Sequence, residues 1–107
     1  MSRHAASADV FAAIADPTRR QLLDLLGQGE QSVLGLTGHF DMTVSAVSQH
    51  LRLLREVGLV DVRRAGRERW YRLNPEPLKT VAAWVGFYEQ FWRRKLHALG
   101  KYLDENP

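Results

Sequence analysis

Two stretches of this 107-residue chain carry residue types suited to chemistry on a polyanion. The first, "TVSAVSQHLRLLREVGLV" (residues 43–60), repeats Val47, Leu51 and Leu54 at the spacing of one buried helical stripe. Its other face carries Val44, Ser45, Ser48, Gln49, Arg52 and Arg55, short or polar groups that pack poorly but allow close approach to base edges. The second, "RRAGRERWYR" (63–72), sets Arg63, Arg64, Arg67, Arg69 and Arg72 against the single acid Glu68. The whole chain is only +3 at pH 7, so this segment outweighs the overall excess. Clustered arginine is the footprint of nucleic-acid binding, because each phosphate contact releases condensed counterions. On charge alone, a solvated basic loop accounts for it equally well.

In the first stretch, Gln49 has the length and the paired donor and acceptor to bind adenine bidentately, and Val44 suits a thymine methyl group. Thr43 is placed as an N-cap and would bring free helix N–H groups to a phosphate. His50 either hydrogen-bonds phosphate or fills the helix surface. In the second stretch, Arg64 and Arg67 flank the tip and could reach a minor groove, while Arg63 and Arg69 suit phosphates. Some of these must instead be ion-paired, with Glu68 as the nearest partner. Arg19 and Arg20 open an earlier helix and read as structural or solvent-facing rather than as DNA contacts.

Other chemistries find little support. Serine, histidine and aspartate occur, but none lies in a nucleophile-elbow, metal-binding or phosphate-loop context, which excludes an enzyme reading and implies no cofactor. With no cysteine, disulfides and thiolate metal sites are excluded. No apolar run of membrane-spanning length or signal-peptide type is present, so a cytoplasmic protein without membrane association is expected.

The elements that must position these groups follow from caps and periodicity. Ser7 can cap a short helix bearing Val10, Phe11 and Ile14. Asp16 and Pro17 open a second helix through Leu22, Leu23, Leu25 and Leu26, ended by Gly27 and Gly29. "SVLGLTGHF" makes a short third helix with Ser32 as cap. A turn then leads into the helix opened by Thr43, and this pair has the form of a helix-turn-helix. After Gly58, "LVDVRR" and "RERWYRL" form two strands turning at Ala65-Gly66-Arg67, which makes a wing. "NPEP" begins a last helix over 76–103. The fold expected is mostly α with a small β-hairpin, a winged helix-turn-helix of order α-α-α-α-β-β-α, in a single domain over 1–107.

The last helix carries a stripe from Leu78 through Val81, Val85, Tyr88, Trp92, Leu96 and Leu99 to Leu103, widened by Trp84, Phe87 and Phe91. At 1.5 Å per residue it is roughly 40 Å long, more than so small a domain covers by itself. Part of it should therefore bury against a second chain. An apolar ligand pocket is the alternative use of the aromatics. Docking on a membrane surface is opposed by Glu89, Asp104 and Glu105.

"ADPTRRQLLDLL", "MTVSAVSQHLRLLREVGLV" and "RRAGRERWYRLNPEPL" together resemble the signatures of the arsenic-repressor (ArsR/SmtB) family of bacterial winged helix-turn-helix transcription factors. The resemblance spans roughly residues 5–103. It implies a dimeric repressor of its own operon on palindromic double-stranded DNA. The homodimer would form through the first and last helices, here Phe11 with Val81, Trp84, Val85, Tyr88, Phe91, Trp92, Leu96 and Leu99. Metal-sensing members carry cysteines on the third helix or carboxylate and histidine ligands on the last. Here the last helix offers only His97 near Glu105, so no metal site is expected. Many members have glutamine and proline where this chain has Val44 and Ser45, and lysine in place of Gln49, so no operator sequence carries over. Nothing in the sequence names a small-molecule effector. The competing reading is a winged-helix module for protein–protein interaction that has lost DNA binding.

Overall fold

The computed structural model describes residues 9–106. Among the described residues are five helices, α1 (Val10–Ile14), α2 (Pro17–Gly27), α3 (Val33–Thr37), α4 (Val44–Glu56) and α5 (Leu78–Glu105), and three strands, β1 (Gln31–Ser32), β2 (Val60–Ala65) and β3 (Glu68–Leu73). The expected cap Ser7 lies outside the described residues. Asp9 caps α1 instead, accepting from the Phe11 N–H at 2.9 Å.

The other starts follow the sequence. Asp16 accepts from Arg19 N–H at 2.9 Å with Pro17 behind it. Ser32 caps α3 through Gly35 N–H at 3.1 Å, and Thr43 caps α4 through Ala46 N–H at 3.0 Å. Each satisfies an N–H that the first turn leaves without an intrahelical partner. At the far end of α4 the chain reverses in a Schellman turn. Leu59 N–H reaches the Leu54 carbonyl at 2.9 Å and Gly58 N–H the Arg55 carbonyl at 3.0 Å. Gly58 holds φ at 82°, a left-handed geometry that a side chain would strain. Leu54 and Leu59, brought together by this turn, are both fully buried.

The core gathers the stripes the periodicity marked. Leu22, Leu23 and Leu26 of α2 meet Leu36 of α3 and Val47, Leu51 and Leu54 of α4, with Leu59, Val60 and Tyr71 closing the sheet side. That stripe fixes which face of α4 is left to solvent.

The sheet differs from the expected hairpin in one respect. Gln31 and Ser32 pair antiparallel with Tyr71 and Trp70, giving three strands in the order β1-β3-β2. A two-residue strand is too short to show a period-2 signal, so the sequence could not announce it. The β2–β3 register pairs Val60 with Leu73, Val62 with Tyr71 and Arg64 with Arg69 on one face, and Asp61 with Arg72 and Arg63 with Trp70 on the other. A two-residue loop, Gly66-Arg67, joins them. Asn74 then fastens the wing to the end of α4, its amide donating to the Gly58 carbonyl at 2.9 Å and its N–H to the Leu59 carbonyl at 2.8 Å.

Helix α5 begins two residues later and ends two residues later than expected, and none of its residues is buried. At 28 residues it is about 42 Å long. Val81 and Val85 are half-buried near its start. Trp84, Tyr88, Phe91, Trp92, Leu96 and Leu99 are 41% to 68% exposed.

Candidate nucleic-acid interface

Between the solvent face of α4, the start of α3 and the wing lies a cleft of about 470 Å³. Helix α4 lines it with Val44, Ser48, Arg52 and Arg55, and the wing with Arg67, Glu68, Arg69 and Tyr71. Ser32, Val33 and Leu34 close the third side. The register explains the wing's part: Arg64 and Arg69 continue the face that carries Val62 and Tyr71 inward, so the strands turn from apolar to basic as they leave the core.

The predicted residues divide sharply. Val44, Ser48, Arg52, Arg67 and Arg69 come together in the cleft. Thr43, Ser45 and Gln49 are exposed around the same end of α4 but do not line it, and Arg64 stands beside Arg69 on the strand. Two expected phosphate ligands are placed elsewhere. Arg63 lies on the opposite sheet face, bound to Glu30 rather than to Glu68, with Nη2 and Nε donating at 2.7 and 2.9 Å. His50 is half-buried on the α2 side of α4, its Nδ1 3.3 Å from Arg19 Nη1.

Arg55, read from the sequence as part of the polar face of α4, also lines the cleft, and Ser32, Val33 and Leu34 join it without having been expected there. Arg55 was legible, since Val44, Ser48, Arg52 and Arg55 step by four, four and three along one helical row. The residues at the start of α3 had no such signal, because their part depends on how α3 docks.

Electrostatics sharpen the division. On the outer face of the sheet, Arg63 pairs with Glu30, and Arg72 lies 3.8 Å from Asp61. Arg63 draws the Glu30 carboxyl below its ordinary range, and Glu30 in turn raises the guanidinium's pKa. On the cleft side, Arg52, Arg55, Arg64, Arg67 and Arg69 make no ion pair among the described residues. Matched charge faces outward and unmatched charge faces the cleft.

Arg19 and Arg20 are structural, as expected. Arg19 donates to the carbonyls of Ala12 (3.2 Å) and Ala13 (2.7 Å), and Arg20 to those of Ile14 (2.8 Å) and Ala15 (3.2 Å). Together they cap the negative end of α1. The Arg19 N–H, with the guanidinium charge beside it, also lowers the Asp16 carboxyl's pKa. On its other side α1 meets α5, where Phe11 and Trp84 pack edge to face at 5.7 Å.

A capped helix with an open polar face beside a basic two-stranded wing defines the winged helix-turn-helix class of DNA-binding proteins. Residues 16–62 match the model of the bacterial regulatory protein, arsR family. The transcriptional repressor SdpR of Bacillus subtilis is 35% identical over 77 residues, covering 72% of this chain and 86% of that protein. The HTH-type transcriptional regulator Rv2034 of Mycobacterium tuberculosis is 35% identical over 104 residues, 97% of this chain and 94% of that one. A solved structure described as a possible transcriptional regulator for arsenical resistance superposes with a TM-score of 0.68 at 48% identity, covering 78% of this chain and 84% of its own. The chain belongs to the ArsR family and is a transcriptional regulator, not an enzyme. Among the described residues no helix is long and apolar enough to cross a membrane, and no three His, Asp or Glu side chains group as metal ligands.

Proposed function

We propose that two copies of this chain form a homodimeric repressor that binds a palindromic operator, α4 entering the major groove and the arginine-rich wing following the adjacent backbone. The observation that carries this is the segregation of charge: the arginines of α4 and the wing tip facing the cleft are unmatched, while those on the outer sheet face have acids. Unmatched guanidinium groups gathered on one face raise the local positive potential and favour a polyanion there. Gln49, Ser45 and Val44 read bases, Thr43 and Ser48 seat the helix end, and Arg52, Arg64, Arg67 and Arg69 hold phosphate, with Arg55 added to that set.

The apolar face of α5 supplies the dimer. Phe11, Val81, Trp84, Val85, Tyr88, Phe91, Trp92, Leu96 and Leu99 lie along one continuous surface that its own domain leaves largely open. For both α4 helices of such a dimer to enter successive major grooves, they must lie about 34 Å apart.

Selection of duplexes from a random library, followed by protection mapping upstream of the protein's own gene, tests this reading. A selected palindrome and a protected copy of it are expected. Binding to no duplex in a salt-dependent manner would refute the reading and favour a protein-interaction role.

A further inference from the structure

Arg19 touches three elements at once. Its Nε and Nη2 hold the end of α1, its backbone N–H belongs to the Asp16 cap of α2, and its Nη1 points at His50 in α4. The Phe11–Trp84 contact joins α1 to α5, so the contacts run from α5 through α1 and Arg19 to the recognition helix. Guanidinium has donors only, so the imidazole nitrogen facing it must carry its lone pair. His50 is therefore the Nε2–H tautomer when neutral.

We propose that Arg19 and His50 are positioning residues that set the seating of the recognition helix against the α1–α5 layer, a role that rests on the DNA-binding reading above. His50 contributes no base or phosphate contact. Its contribution is to receive the last free edge of Arg19, whose other edges are committed to α1.

Two measurements decide the matter, one of them independent of DNA. Long-range proton–nitrogen NMR correlations of the full chain at mildly alkaline pH should show His50 as the Nε2–H tautomer. An Nδ1–H tautomer overturns the proposal whether or not the protein binds DNA. The second uses the duplex that the wild-type protein selects. His50→Leu, which leaves the Arg19 bonds to α1 in place, should weaken binding about tenfold with an unchanged salt slope. His50→Asn, whose amide oxygen can stand where Nδ1 stands, should restore most of that affinity. Combining Arg19→Lys with His50→Leu should cost no more than Arg19→Lys alone. Additive losses, or a reduced salt slope for His50→Leu, would show instead that His50 acts separately, as a phosphate ligand.

Discussion

Arg63 grips Glu30 with two parallel hydrogen bonds, Nη2 to Oε1 at 2.7 Å and Nε to Oε2 at 2.9 Å, while its guanidinium carbon lies 5.9 Å from the centre of the Trp70 ring. Glu30 immediately precedes β1 and Arg63 lies in β2, so the pair spans the two outer strands across Trp70 of the middle one. A bidentate pair of this kind fixes geometry as well as charge.

That pair has a pH signature. The Glu30 carboxyl titrates below its ordinary value of 4.5, chiefly because Arg63 hydrogen-bonds its charged form. A depressed carboxylate contributes stability that is present above the ordinary value and is lost as pH falls through the lower, folded one. Urea denaturation followed by tryptophan fluorescence should therefore show a steeper loss of stability below about pH 4.5 for the wild type than for Glu30→Gln. Parallel curves would mean that solvent screening leaves the pair no net effect.

Cleft and outer-face arginines should behave differently toward DNA. Arg52→Ala, Arg55→Ala and Arg69→Ala are each expected to weaken specific and non-specific duplexes alike and to reduce the salt slope by about 0.9 for every phosphate the variant no longer neutralises. Arg72→Ala, beside Asp61 on the far face, should leave the slope unchanged. Affinities measured across a salt series separate the two sets; equal effects would erase the distinction.

Gln49 is exposed near the start of α4, and its side chain hydrogen-bonds no protein group among the described residues. Gln49→Ala should cost about 1–3 kcal/mol on the selected operator and relax preference at one base pair, with little effect on non-specific DNA. Competition against all single-base operator variants checks this, and an unaltered preference at every position would remove Gln49 from base reading.

The α5 face gives the fourth test. Phe91 is 45% and Leu96 68% exposed in the isolated chain, so Phe91→Glu with Leu96→Glu should cost little in the monomer's own stability. Sedimentation should show a shift from dimer to monomer, with operator affinity falling together with it. A dimer that persists in the double variant would place the interface elsewhere.

Much of the fold was legible because its signals are local. Asp16, Ser32 and Thr43 announce helix starts through side chains that reach only three residues ahead, and Val47, Leu51 and Leu54 mark a buried stripe through spacing alone. The sheet was half legible: the hairpin turn at Gly66 is a neighbourly event, whereas the pairing of Gln31 with Tyr71 joins residues forty positions apart. The site divides the same way. The open face of α4 and the basic wing stood out in the chain, but which arginines are matched did not, because Glu30 lies far from Arg63 in sequence and meets it only across the finished sheet.

From sequence alone came the helices, the wing, the helix-turn-helix order and the choice of which α4 face is left to solvent. Caps and hydrophobic period act within a turn or two and need no knowledge of the rest. Tertiary structure decided the partners of the charged groups. It turned Arg63 toward Glu30 and His50 toward Arg19, and it brought Arg55 into one cleft with Arg67 and Arg69. Long, flexible cationic side chains take their role from whatever anion or acceptor the fold carries within reach, and that distance exists only once the helices and strands are packed.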